Sequence, residues 1–212
     1  GDVYKRQWLG WAAALLGTGL DSAWVPEVVH GHDWHTGLAF AYLRQLGLGR
    51  ASKPATVFTI HNLAYQGVFP AELRVRLGLP DVLFHLNGIE YHGQISFMKA
   101  GLKYADAITT VSPTYAREIT GQEQGCGLDG VLRKRHNVLH GILNGVDDAV
   151  WDPAHDPQVA PGYDAEQPDG KAQAKARLQK EMKLKPLKSA LLFCVVSRLT
   201  EQKGLHLLPE VV

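Results

Sequence analysis

Two cations, Arg198 and Lys203, stand five residues apart in the segment Ser197-Arg198-Leu199-Thr200-Glu201-Gln202-Lys203-Gly204. A forked guanidinium and a flexible ammonium across a strand-to-helix turn, with Gly204 inside it, suit a diphosphate. Backbone N–H groups at a helix start add to the pull on an anion. The plainer reading is two solvated surface cations. Three further segments concentrate polar side chains: His30-Gly31-His32-Asp33-Trp34-His35, His61-Asn62-Leu63-Ala64-Tyr65-Gln66-Gly67 and Asn144-Gly145-Val146-Asp147. Each has a structural alternative. His32 and His35 have the types for metal binding but lack a third ligand nearby, and Asp33 with hydrogen-bonded histidines can simply cap a helix. His61-Asn62 and Asn144-Gly145 suit turns. Trp34 and Tyr65 serve as packing residues or as platforms for a sugar.

Stepping strands and helices must position these segments. Pro26–His30, Ala55–Ile60, Ala107–Val111, Val138–Leu143 and Ala190–Val196 read as strands. Between them, helical spacing is expected up to Gly19, over Thr36–Leu46 with Gly47 as a stop, over Ser96–Tyr104, and from Pro113 with Ser112 as its cap. A further helix is expected near Lys203. Continuous apolar strands alternating with helices predict an α/β fold with a Rossmann-like, doubly wound parallel sheet. In such sheets ligands bind beyond the carboxyl ends of the strands, where the four polar segments fall. The Gly-x-Gly-x-x-Gly pattern at Gly125–Gly130 does not directly follow a predicted strand, so the strand-to-helix turn of dinucleotide binders is lacking, which disfavours a dehydrogenase.

With 212 residues, 45% apolar and 20% charged, the chain is globular and large enough for a core without disulfides. A net charge of +1 gives no electrostatic case for a nucleic-acid or membrane-surface partner. The apolar stretch Trp8–Leu20 is too short for a membrane span. Cys126 and Cys194 are two cysteines without disulfide-scaffold or metal spacing, and a cytoplasmic setting is the simplest reading. Residues 1–7 read like a translated adapter and are set apart from the fold, and both ends are expected to be those of a fragment. From Asp147 to Gly170 there are seven acids, four prolines and no Lys or Arg, expected as an extended interdomain connection. Lys171–Lys188 then carries seven basic residues on a helix whose apolar stripe is Ala174, Leu178 and Met182.

Six ordered segments carry a resemblance: Gly31–His35, Thr59–Gly67, Gly93–Gly101, Thr110–Ile119, Leu143–Asp147 and Ser197–Gly204. In this order they resemble bacterial glycogen synthases and plant starch synthases, over roughly Trp8 to the end. The resemblance implies a retaining GT-B-type glycosyltransferase with two Rossmann-like domains facing across a cleft. Its donor would be ADP-glucose, a substrate, and its acceptor the non-reducing end of an α-1,4-glucan such as glycogen or a starch primer. No metal or separate cofactor is implied. By motif position Asp33, His61, Arg198 and Lys203 would be catalytic, with the two cations on the ADP phosphates and Asp33 near the acceptor hydroxyl. Asn144 would line the donor glucose with His61, while Trp34, Tyr65, His35, Asn62 and Gly204 would complete substrate binding. The implied domains are an incomplete acceptor-side domain over 8–143, a connection over 144–189 and the start of a donor-side domain over 190–212. The family's Lys-x-Gly-Gly loop and its acidic donor motif are not in the sequence, so the chain alone is expected to be inactive and its last segment poorly packed. A related UDP-sugar transferase, a non-catalytic glucan-binding remnant and a histidine-based metalloenzyme are the alternatives.

Overall fold

A computed structural model describes residues 1–21, 23–46 and 54–210. They divide into two compact units, Gly1–Asn144 and Gly145–Val212. The first unit begins with helix α1 (Asp2–Gly17), then strand β1 (Val28–His32), α2 (Asp33–Leu46) and β2 (Ala55–Ile60). Short strands β3 (Val68–Pro70), β4 (Glu90–Tyr91) and β5 (Gln94–Ser96) lead to α3 (Phe97–Tyr104). Then follow β6 (Ala107–Thr110), α4 (Pro113–Glu118), α5 (Asp129–Lys134) and β7 (Leu139–Gly141).

The class is α/β. Four parallel strands form one sheet in the order β1-β2-β6-β7, and β3-β5-β4 form a small antiparallel sheet. The parallel order steps in one direction, so right-handed crossovers set successive helices side by side, and α2 packs against both α1 and α3. The β-branched run Ala55–Ile60 forms β2 at the bounds its sequence predicts, with Phe58 and Ile60 fully buried. Two core clusters meet on α2. Leu38 and Tyr42 face Leu77, Ile89, Ile95 and Phe97, while Phe40 faces Phe58, Met98, Leu102 and Ile108. Gly37 lets α2 approach α3, because a Cβ there would lie 1.8 Å from the Phe97 carbonyl oxygen.

The helix caps are side-chain hydrogen bonds. Ser96 Oγ accepts the Lys99 N–H at 3.1 Å, and Ser112 Oγ accepts that of Tyr115 at 2.9 Å, with Pro113 in the first turn. Three boundaries differ from expectation. The first strand runs on to His32, so His30, Gly31 and His32 are strand residues rather than a loop. β7 is only three residues long, and Ile142 and Leu143 lie beyond it and exposed. Helix α1 ends at Gly17 and includes the opening residues, whose Val3 and Tyr4 pack on the core under the Arg76 guanidinium, 5.0 Å from the Tyr4 ring centroid. Those residues take part in the fold. The expected stop at Gly47 lies outside the described residues.

Among its described residues the second unit holds one α-helix, α6 (Asp169–Glu181). The acidic run before it is folded into tight turns rather than extended. The carboxylates of Asp147, Asp152, Asp156 and Asp164 accept the backbone N–H groups of Val150, Ala154, Gln158 and Glu166 at 2.8–3.2 Å. On α6 the buried positions are Gly170 and Gln179, while Leu178 and Met182 of the apolar stripe are exposed. Ala190–Val196 forms no strand, and 3₁₀ turns at Glu201–Lys203 and Leu205–Glu210 stand where an α-helix is expected. A strand needs a hydrogen-bonded neighbour, and the second unit has no strand among its described residues.

Candidate active site

The parallel pairing of β1 with β2 sets His32 opposite Thr59, so the two strands end side by side. Beyond that edge the chain turns sharply in both places. Asp33 has φ +54°, the left-handed region, and immediately starts α2. Such a conformation at a residue other than glycine is costly and needs support. The support comes from the neighbouring loop: Asp33 Oδ1 accepts the backbone N–H of His61 at 2.8 Å and of Asn62 at 3.3 Å. One carboxylate therefore ties the end of β1 to the loop after β2.

The rest of that loop is fixed from below. The Leu63 N–H donates to the Tyr115 hydroxyl at 3.1 Å. The carbonyls of Gln66 and Gly67 accept the first N–H groups of α3, from Met98 at 3.0 Å and Phe97 at 3.1 Å. Gln66 Nε2 donates to the Cys126 carbonyl at 2.7 Å. Gly67 has φ +57°, and a Cβ there would lie 2.2 Å from the Trp34 ring. Trp34 thus acts as a packing residue against Gly67, Phe69 and Phe97, and its ring stacks with that of His35 at 4.2 Å. Tyr65 projects from the loop and is 48% exposed, which leaves its ring free to meet a ligand.

A row of imidazoles lines the same edge. His30 and His32 are two apart on β1 and so share a face. Their rings lie 4.3 Å apart, and His32 Nδ1 is 3.0 Å from His61 Nε2. His30 Nε2 reaches Thr59 Oγ1 at 2.7 Å, and Thr59 reaches Thr109 of β6 at 2.5 Å. Burial, then the cations that His30 and His61 become, lower the His32 pKa, against a smaller upward pull from Asp33. Burial followed by Arg6 lowers that of His35, with Asp33 and Asp2 opposing. His32 and His35 point to different partners and share no site, and no metal-holding group of His, Cys, Asp and Glu exists among the described residues.

The structure therefore brings Asp33, His61 and Asn62 into direct contact, with Trp34, His35 and Tyr65 around them. Asn144 lies exposed past β7, at the same edge of the sheet but beyond the intervening β6. Arg198, Lys203 and Gly204 belong to the second unit. There Arg198 and Lys203 are exposed, the Thr200 N–H donates to the Arg198 carbonyl at 2.9 Å, and Gly204 takes the left-handed conformation, φ +70°. The turn bearing them is built from 3₁₀ hydrogen bonds and not from a strand feeding an α-helix, so the expected helix-start contribution is not formed in it. His30, Thr59, Thr109 and Tyr115 join the edge without being among the site residues the sequence predicts. The two-residue spacing of His30 and His32 is the signal for a shared face, and it shows only when the strand runs on to His32.

An α/β unit with a fixed carboxylate at the carboxyl edge of parallel strands is the arrangement of a ligand-binding Rossmann-like domain. The family model for the starch synthase catalytic domain matches residues 4–134, and the chain belongs to that family. It is similar to the glycogen synthase of Albidiferax ferrireducens, 59% identical over 204 residues that are 96% of this chain and 41% of that protein. It is also similar to the glycogen synthase of Francisella tularensis subsp. novicida, 54% identical over 214 residues that are all of this chain and 44% of that protein. The chain thus spans about two fifths of the length of these curated relatives. Among solved structures it resembles the catalytic domain of Starch Synthase IV from Arabidopsis thaliana bound to ADP and acarbose. That match has a TM-score of 0.77 and 29% identity, over 99% of this chain and 43% of the other.

Proposed function

We propose that this chain carries the acceptor wall, and the first part of the donor wall, of a retaining glucosyltransferase. It would move glucose from ADP-glucose to the non-reducing end of an α-1,4-glucan such as glycogen, in the cytoplasm. The observation that carries the reading is the carboxylate of Asp33, held in a strained turn by the backbone of His61 and Asn62. Strain kept at a sheet edge where ligands bind is a mark of a working site. In this reading Asp33 faces the incoming glucan hydroxyl, and His61 and Asn144 take hydroxyls of the donor glucose. Asn62, His35, Trp34 and Tyr65 shape the glucan side, with Tyr65 as the exposed ring.

Breaking the glucosyl bond leaves negative charge growing on the departing diphosphate. Cations already placed there stabilise the transition state more than the ground state. Arg198 and Lys203 supply those charges in the proposal, beside the close backbone approach that Gly204 permits. Their loss then lowers turnover and not merely affinity. No metal or further cofactor enters the scheme, because the two cations do the work of neutralising the leaving group.

The test is a chimaera in which this chain replaces the matching segment of the Albidiferax ferrireducens glycogen synthase. Incorporation of glucose into glycogen is followed with ADP-glucose and with UDP-glucose. The chimaera is expected to use ADP-glucose. Arg198→Ala and Lys203→Ala should each raise the barrier by about 2–4 kcal/mol, roughly 30- to 1,000-fold in turnover. Turnover at the parent rate in both variants would sink the clamp, and a preference for UDP-glucose would change the donor.

A further inference from the structure

The first unit contains a concavity of about 360 Å³, none of whose lining residues belongs to the Asp33 edge. Three lysines line it, Lys99 and Lys103 of α3 and Lys134 at the end of α5. Lys99 is 4% exposed, a rare burial for a lysine. Its Nζ donates to the Leu86 carbonyl at 2.8 Å and to that of Glu90. An ammonium has three donors, so one is not used by these two carbonyls. Burial, and then the charges of Arg135 and Lys134, depress the Lys103 pKa. Burial lowers that of Lys99, with Glu90 opposing and Lys103 adding to the fall.

The surrounding groups compensate this positive charge only in part, through the Glu90 carboxylate. Asp129, on the same helix as Lys134, pairs with Arg133 at 2.6 Å. Glu90 is the carboxylate on the cavity wall, and its Oε1 accepts the Gly93 N–H at 2.7 Å. The Arg135 guanidinium donates to the carbonyls of Leu102, Lys103, Ala105 and Asp106. Neither Lys103 nor Lys134 has an ion pair among the described residues. Like charges crowded into a concavity are relieved by an anion with several oxygens. The lining also includes Tyr91 and Leu128, with the Tyr91 hydroxyl anchored to the Cys126 carbonyl at 2.9 Å.

We propose that this cavity binds a small phosphate ester, its phosphoryl oxygens on the ammonium groups of Lys99, Lys103 and Lys134 and its organic part against Tyr91 and Leu128. The site is separate from the reading of Asp33 and does not depend on it. It nevertheless reaches that loop, because the Cys126 carbonyl that anchors Tyr91 also holds Gln66.

Glucose 1-phosphate, inorganic phosphate and glucose are titrated calorimetrically into the 212-residue chain. In parallel, amine-reactive labelling of each lysine is read by mass spectrometry with and without the ester. The ester should bind more tightly than phosphate, and glucose not at all. Labelling of Lys103 and Lys134 should fall several-fold on binding, while that of Lys180 on α6 stays constant. Lys103→Gln with Lys134→Gln should weaken the ester by about tenfold or more, with circular dichroism verifying the fold. The labelling of the unmodified chain decides the matter if the double variant does not fold. Unchanged affinity in a folded double variant, phosphate as tight as the ester, or protection that leaves Lys103 and Lys134 untouched overturns the assignment.

Discussion

The two units treat the same kind of sequence differently. Ala55–Ile60 and Ala190–Val196 are both short apolar runs that read as central strands. The first lies between β1 and β6, and its Phe58 is fully buried. The second forms no strand, and its Phe193 and Val196 are 84% and 97% exposed. Every buried hydrophobic residue described belongs to the first unit, from Ala14 to Leu132. Composition cannot account for the difference, but neighbours can. A strand becomes one by hydrogen bonding to a neighbour and by having helices to cover its faces. The lesson for the site is direct: Asp33 and His61 are placed by a finished sheet edge, whereas the turn of Arg198 and Lys203 has no strand of its own unit behind it.

Substitution of the matched phenylalanines sharpens this contrast most. Phe58→Ala removes a ring packed edge-on to Phe40, 5.3 Å between centroids, and against Gly101 of α3. It should cost about 3–5 kcal/mol of unfolding free energy. Phe193→Ala should change stability by no more than about 0.5 kcal/mol, as at an ordinary exposed position. Chemical denaturation of the chain, followed by circular dichroism, measures both. Equal losses would mean that the second unit has a core comparable with that of the first.

A smaller effect is expected at the loop after β2. Gly67→Ala adds a Cβ where φ is +57° and where the Trp34 ring occupies the space. Backbone strain of about 1–3 kcal/mol is expected, with a change in tryptophan fluorescence as Trp34 is displaced. An unaltered spectrum and midpoint would show that the loop is not gripped by Trp34. Lower still, Ser112→Ala removes the oxygen that caps α4 at Tyr115, and about 1 kcal/mol should be lost. Ser112→Asp retains an acceptor and should restore most of it. Failure of Asp to do better than Ala would assign the loss to something other than the cap.

Much of this was legible in the sequence, for physical reasons that differ by residue. The bounds of β2, the cap at Ser112 and the parallel class follow from local rules that tertiary packing reinforced. The pairing of Asp33 with the His61 and Asn62 backbone was not legible, because it joins positions nearly thirty apart through the β1–β2 register. Nor was the small sheet β3-β5-β4, whose strands of two or three residues are too short to show alternation. Asn144 and the pair Arg198 and Lys203 were found by motif, which names residues without saying what holds them. The strand at Ala190–Val196 was misjudged because apolar runs record a tendency to be buried, and burial is decided by what lies alongside.

The smallest predicted effect lies at the imidazole row on the finished edge. His32 sits beside His30 and His61, and its folded-state pKa is below the ordinary 6.5. A base whose pKa is lowered by folding binds its proton more readily when unfolded. Its contribution is therefore intact above pH 6.5 and falls away as the pH drops from there through the folded-state value. Stability of the first unit should accordingly rise with pH over that window. His32→Gln removes the titrating ring while keeping a side chain able to hydrogen bond to His61, and it should flatten the slope without a large change at pH 8. The second unit supplies the counter-case. Asp152 holds His155 at 2.6 Å and raises its pKa above the ordinary value. That pair contributes its stability below pH 6.5 and loses it as the pH rises through the folded value, so His155→Gln should change the profile in the opposite sense. Thermal midpoints collected between about pH 5 and 8 for the three chains test both signs. If the two substitutions tilt the profile the same way, the crowding of His32 by its neighbours is not what sets its proton affinity.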